Sequence, residues 1–268
     1  MTTNKKILVV LLPLIPATLF FVLSKKNNHI LYQQDFETGD FFSANVNVKK
    51  QTSTSYAIQV VDSPVYTGKK AGRFELRADD PENHNGTRAE LSFPGPGKGE
   101  SVERWYSFAL YIPANDFDFD KSDEVITQWH QGGKATPSLC IRTTGNRIRL
   151  RIKADLVKKE WVELGSIEKD KWQYYIIHVK HSSGPDGLVE LWCNSVQLVR
   201  HAGANMYDIR NGIFHNPNWK LGIYKSAWNG ISTTQAQKRV IYFDDIKVGD
   251  SRASYVDMIA EPISPGNR

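Results

Sequence analysis

From His29 onward, apolar and polar residues alternate with a period of two in short runs, and helical spacing of useful length is nearly absent. That is the pattern of strands buried on one face. The clearest runs are RWYSFALYIP (104–113), DEVITQWHQ (123–131), RIRLRIK (147–153), WQYYIIHVK (172–180), LVELWCN (188–194), WKLGIYKSAW (219–228) and VIYFDDIKV (240–248). Turn-forming clusters such as PGPGKG, TTGN, SSGPDG and NPN separate them. No internal repeat and no Ser/Gly linker interrupts the rhythm, which argues against a propeller and against a second domain. The predicted architecture is all-β: a two-sheet antiparallel β-sandwich of jelly-roll, concanavalin A-like type over residues 29–268, whose larger sheet curves around a concave cleft. QDFETGDF near the start and YFDDIKVGD near the end are expected to pair as edge strands that close the sandwich, and the tail after Asp250 reads as a surface segment.

The first 28 residues follow a different pattern. An apolar run from Ile7 to Leu23 is preceded by Lys5-Lys6 and followed by Lys25-Lys26, with no acidic residue among the first 26. Residues 1–28 therefore read as an export signal or as an uncleaved signal-anchor, two outcomes the sequence leaves open. Either places the domain outside the cytoplasm, secreted, periplasmic or anchored facing outward, with membrane contact only through this segment. The flanking lysines also change the meaning of the net charge. Of the formal +5, these four account for 4, leaving 5 − 4 = +1 on the rest, so nucleic acid loses its compositional argument. The only cysteines, Cys140 and Cys193, would pair in an oxidising compartment or stay as two buried thiols. No spacing suggests zinc, because His178 and His181, three apart in a strand, point to opposite faces.

Charge enters the argument locally. In NRIRLRIK, Arg147, Arg149, Arg151 and Lys153 alternate with Ile148, Leu150 and Ile152, so one face of that strand is cationic. Like charges on one face repel unless acidic cross-strand partners or an anionic ligand lie opposite, and both readings stand. On a concave face the strand would be a track for a polyanion. Three further runs place polar groups on one side of a strand: Arg88 with Glu90, Gln128 with His130, and Lys220 with Gly222 and Tyr224. Each alone is commonplace. Trp129 alternates with the Gln128/His130 pair and belongs in the core, whereas Trp105, Trp161, Trp219 and Trp228 are either core or sugar platforms.

In this order, RAEL, QWH and KLGIY resemble the hallmark strands of the β-jelly-roll polysaccharide lyases, a group that includes alginate lyases, glucuronan lyase and heparin lyase I. SFALYIP, TQWHQG and YFDDIKVGD look like the heparin lyase I/glucuronan lyase branch. The resemblance implies a carbon–oxygen lyase that cleaves a uronate-containing anionic polysaccharide by β-elimination, glucuronan before alginate or heparin-like chains. It implies a catalytic set of Arg88, Gln128, His130 and Tyr224. Arg88 and Gln128 would stabilise the developing enolate at the carboxylate. His130 and Tyr224 would be base and acid, with Tyr224 serving both roles when the C5 proton and the leaving oxygen share a side. Since a tyrosine titrates near 10, cationic neighbours such as Arg88 and Lys220 are required to favour phenolate. Glu90 would orient Arg88 by a bidentate pair. His84, Lys220, Lys225 and the cations Arg147, Arg149 and Arg151 complete the expected substrate contacts. Lys225-Ser226 stands where alginate lyases usually carry Asn-Gln, which weakens the case for alginate.

Such chemistry requires no cofactor. A structural Ca2+ held by Glu37, Asp244 and Asp245 is expected as an alternative to ion-pairing or turn-capping by those residues. The expected partner is the anionic polysaccharide, and the expected state a monomer. A non-catalytic carbohydrate-binding sandwich is the competing reading, and a glycoside hydrolase a third, disfavoured because no Glu-x-Asp-x-Glu strand supplies two flanking carboxylates.

Overall fold

The computed structural model describes residues 29–41, 47–133, 135–210 and 212–260. The apolar run at 7–23 lies outside these residues, and so does the signal-or-anchor expectation. Among the described residues, fifteen strands build two wholly antiparallel sheets. The first runs, in spatial order, β13 (Val196–Ala202), β12 (Leu188–Cys193), β11 (Trp172–Lys180), β6 (Glu103–Tyr111), β15 (Lys238–Gly249), β4 (Ala71–Arg77) and β3 (Ile58–Val61), with β1 (Ile30–Gln34) also paired to β15. The second runs β10 (Glu160–Ser166), β9 (Arg147–Ile152), β8 (Leu139–Thr144), β7 (Asp123–His130), β14 (Asn218–Tyr224), β5 (Arg88–Phe93) and β2 (Lys49–Gln51). This is the predicted jelly-roll sandwich. The expected pairing of the two chain ends occurs, Gln34 opposite Ile246. It does not close an edge, because β15 is twelve residues long and lies inside the sheet, between β6 on one side and β4 and β1 on the other.

Alternation explains the core. One face of every central strand carries the large apolar side chains, and Trp129, Trp219, Phe74, Phe108 and Phe243 are fully buried between the sheets. Phe93 stacks on Trp219 with ring centroids 4.6 Å apart, and the Trp219 indole N–H donates to Thr127 Oγ1 at 2.7 Å. Each such side chain contributes about 1.5–3 kcal/mol of burial. A smaller apolar layer covers the outer face of the first sheet, where Trp105, Tyr174 and Ile176 pack with Met258. Met258 sits in the helix α1 (Tyr255–Met258), which is capped reciprocally by Ser254 and Asp257. The Tyr174 hydroxyl donates to the Met258 carbonyl at 2.7 Å. The segment after Asp250 is thus a packed cover up to residue 260, where a surface segment was expected.

The two cysteines lie in different sheets, Cys140 on β8 and Cys193 on β12, and both are free thiols. Of the residues expected to hold calcium, Glu37 and Asp244 each spend one oxygen on backbone amides. Glu37 Oε1 accepts the backbone N–H groups of Lys69 and Lys70, and Asp244 Oδ2 accepts those of Tyr66 and Thr67. Those two oxygens are already engaged by backbone donors, and among the described residues no group of three or more His, Cys, Asp or Glu is placed to hold a metal ion. The two carboxyls clip the 66–70 loop to the sheet, while burial pushes Asp244 up to about 7.

His178 and His181 do not converge. The first stacks on Trp105 at 4.1 Å on the outer face, and the second is buried beyond the end of β11. Burial, reinforced by Arg104, pushes His181 from 6.5 down to about 3. Between those values the unfolded chain takes up a proton that the folded chain does not, so stability falls as pH drops through that window. His181→Gln removes this uptake. The urea midpoint of the variant should therefore fall less than that of the wild type between pH 7 and pH 4.5; parallel losses would mean that His181 is not held neutral.

Candidate active site

Parity assigns the site. On β5 the side chains of Ala89, Leu91 and Phe93 enter the core, on β7 Trp129 does, and on β14 Trp219, Leu221 and Ile223 do. Their neighbours Arg88, Glu90, Gln128, His130, Lys220 and Tyr224 consequently stand on the outer face of the second, seven-stranded sheet, the smaller of the two, where the larger sheet was expected to carry the cleft. Strand β14 lies between the other two, with Lys220 opposite Gln128 on one side and Tyr224 opposite Arg88 on the other. Gly222 is required here. Its φ is +144°, and a Cβ would lie 2.1 Å from the Ala89 carbonyl oxygen, so a side chain would push β5 away. Gly86 has a related role: a Cβ there would come within 2.5 Å of the Tyr224 ring and 2.8 Å of Arg88 Nη2.

Glu90 is the buried hub. Its Oε2 accepts from Arg88 Nη1 at 3.1 Å, and its Oε1 accepts from Gln128 Nε2. The expected bidentate Arg88–Glu90 pair is therefore a shared carboxylate, which fixes both groups and leaves the second N–H of the Gln128 amide to point elsewhere. Arg88 Nη2 also donates to the His84 carbonyl at 3.4 Å, and its guanidinium lies 4.6 Å over the Tyr224 ring. Burial, with Lys220, Arg88 and His215 adding positive charge, pushes His130 from 6.5 down to about 4. The imidazole is neutral at pH 7. Its Nδ1 accepts the backbone N–H of Gly132 at 3.0 Å, so its proton sits on Nε2. Burial likewise lowers the Lys220 ammonium.

Arg88, Gln128, His130, Lys220 and Tyr224 line a cleft of about 650 Å³ together with His84, Gln51, Asn85, Arg142, Arg151, Gly133 and Ala135 to Pro137. Among the described residues no Asp or Glu lines it. The cationic strand does face this side. Arg151 enters the cleft and donates to the Pro137 carbonyl at 2.8 Å. Arg149 continues the track, 4.5 Å over the Trp161 ring and donating to Thr144 Oγ1 at 2.9 Å. Arg147 ends it at the exposed rim, paired with Glu163 at 2.8 Å. The outermost cation thus has an acidic partner, whereas Arg151 lines the cleft. Trp161 is half-buried beside Arg149, whereas Trp219 and Trp228 are core and Trp105 belongs to the opposite sheet.

Lys225 is a correction. It is fully buried, 2.9 Å from Glu124 and 3.1 Å from Asp120, in a cluster that Arg239 completes from β15. It cannot touch a substrate in the cleft. Two residues escaped sequence reasoning. Arg142 lines the cleft from β8, a strand too short and too evenly apolar to stand out, although LCIRTT puts Arg142 and Cys140 on one face. Asn229 donates from Nδ2 to the Tyr224 hydroxyl at 3.3 Å, and nothing in its local sequence marks it.

Known proteins supply the context for this geometry. The structure superposes on a fungal endo-β-1,4-glucuronan lyase from Trichoderma reesei with a TM-score of 0.64 at 18% identity, covering 82% of this chain and 95% of that one. An alginate lyase from Pseudomonas aeruginosa gives 0.53 at 15% identity over 74% and 87%. The binding domain of a paraclostridial mosquitocidal protein gives 0.54 at 14% identity over 86% of this chain and 51% of that one. No curated protein is similar at the level of sequence. Residues 36–247, by contrast, match the family described as polysaccharide lyase. The chain belongs to the polysaccharide lyase family.

Proposed function

We propose that this protein cleaves a 4-linked polyuronate by β-elimination, with Tyr224 as both base and acid, and that its substrate is of the glucuronan type. The observation that carries the reading is the composition of the cleft: Arg88, Gln128, His130, Lys220 and Tyr224 converge where no carboxylate lines the wall among the described residues. A retaining or inverting hydrolase needs two flanking carboxylates. A cleft that carries cations and one phenol instead suits a substrate that is itself a carboxylate and whose reaction builds negative charge there. Arg88 and the free N–H of Gln128 would meet the uronate carboxylate as the enolate forms, and Lys220, Arg142 and Arg151 would hold neighbouring carboxylates along the groove. Arg149 and Arg147 extend this track, and His84 at the rim completes it.

The state of His130 narrows the substrate class. A neutral imidazole with its proton on Nε2 donates; it does not abstract a proton at that nitrogen. Its part is then to bind the carboxylate beside Gln128, leaving Tyr224 as the proton carrier. One group can take the C5 proton and return it to the leaving O4 only when both lie on one side of the ring. That holds for 4-linked D-glucuronate and D-mannuronate and fails for guluronate, iduronate and galacturonate. The fold likeness to a glucuronan lyase and the Lys225-Ser226 departure from the alginate lyase pattern favour glucuronate over mannuronate. The test is a panel of glucuronan, polymannuronate, polyguluronate and polygalacturonate, followed by the ultraviolet absorbance of the unsaturated uronate. Glucuronan should give the fastest rise and the last two none. Cleavage of polyguluronate or polygalacturonate would contradict the single-carrier reading.

A further inference from the structure

The 3-10 turn Ser226–Trp228 follows directly on β14, and Asn229 closes it with its backbone N–H on the Ser226 carbonyl at 3.2 Å. The Asn229 side chain is held in one orientation. Its Oδ1 accepts the backbone N–H of Thr87 at 2.8 Å, so its other end must be the amide nitrogen, and Nδ2 donates to the Tyr224 hydroxyl at 3.3 Å. Thr87 is itself tied to the turn, by its hydroxyl on the Trp228 carbonyl at 3.0 Å and by the Lys225 N–H on its own carbonyl at 3.1 Å. The donor is thus tied to the residue just before β5, next to Arg88, and that residue is itself bonded to the one just after β14.

We infer that Asn229 is a positioning residue for Tyr224: its amide fixes the phenolic oxygen and, by donating to it, favours the phenolate that proton abstraction requires. A donor to an ionised oxygen is stronger than the same donor to a neutral one, so the bond selects the charged form. The other charged or titratable groups of this cleft are Arg88 from β5 with Glu90 behind it, His84 from the preceding loop, His130 from β7, Arg142 from β8 and Lys220 from the strand of Tyr224, while Glu82 accepts the Gly230 backbone N–H next to Asn229. Asn229 supplies the neutral donor among these charges. The inference rests on the eliminative reading of the cleft for its consequence in turnover, but the hydrogen bond itself does not.

Asn229→Asp tests it, because an aspartate keeps the acceptor for Thr87 and replaces the donor to Tyr224 by a carboxylate. With the full domain and glucuronan, kcat should fall roughly ten- to hundredfold, the range of a hydrogen bond to a charged group. KM and the melting temperature should stay near wild type, and the ascending limb of the pH–rate profile should move to higher pH. In the Tyr224→Phe background the same change should cost nothing further. Ring-carbon NMR of labelled tyrosine, with Tyr224 assigned by the Phe variant, reads the interaction without turnover: Tyr224 should titrate at higher pH in Asn229→Asp. If wild type cleaves glucuronan and the variant keeps its rate limb and its Tyr224 titration, the positioning role is overturned. If no polyuronate is cleaved and the titration still moves, the Asn229 interaction stands and the eliminative reading falls.

Discussion

Tyr224→Phe should lower kcat by about 10²–10⁴-fold, the contribution of a positioned acid or base, with the upper end expected when one group performs both transfers. The change deletes a single oxygen from a half-buried ring, and the ring's contacts with Arg88 and the space left by Gly86 are kept. Substrate binding should survive, since it depends on Arg88, Lys220, Arg142 and Arg151. A loss in kcat with little change in KM is the sign of an interaction made in the transition state. Initial rates of unsaturated product and a binding titration on the inactive variant check both halves. Turnover near wild type would move the proton transfer away from Tyr224, to another cleft group such as His84 or Lys220.

Lys225→Met should act on stability and leave recognition alone. The ammonium donates to Ser122 Oγ at 2.7 Å and to Glu124 Oε2 at 2.9 Å, and Arg239 Nε contacts both oxygens of the same carboxylate at 3.0 and 2.9 Å. Water does not reach this cluster; Lys225 has 0% side-chain exposure and Glu124 3%. Removing one cation leaves Glu124 and Asp120 to share Arg239, and breaking a buried ion pair from one side costs about 3–5 kcal/mol. For a domain of this size that corresponds to a melting temperature lower by on the order of 10 °C. KM and its salt dependence, measured well below the transition, should be those of the wild type. An unchanged melting temperature with weaker, less salt-sensitive binding would return Lys225 to the substrate.

The same parity rule that made the site legible would have excluded Lys225. If Lys220, Gly222 and Tyr224 share the cleft face, residue 225 lies on the other side, in the core. Reading it as one more cation beside a cationic motif overrode the geometry. Where alternation was strict, as in 147–153 and 219–224, the sequence located both the strand and its outward face. Strands β3, β8, β10 and β13 were harder, since β8 is apolar on both sides of Cys140 and β10 alternates weakly at an exposed edge. The interior place of β15 depends on which strands pair, and no local pattern carries that. The chemistry shows the same division. Residue types named Arg88, Gln128, His130 and Tyr224, but the tautomer of His130 is set by the backbone of Gly132, and Asn229 reaches Tyr224 only because a turn folds back.

The most direct test of the account is the fate of solvent oxygen when the domain cleaves glucuronan in ¹⁸O-labelled water. Elimination breaks the bond between C4 and the glycosidic oxygen without adding water, so the first products should carry an unsaturated end and no label beyond slow exchange at the reducing end. Saturated products that have gained labelled water would mean hydrolysis and contradict the account, and tight binding with no cleavage of any uronate chain would reduce the cleft to a recognition surface.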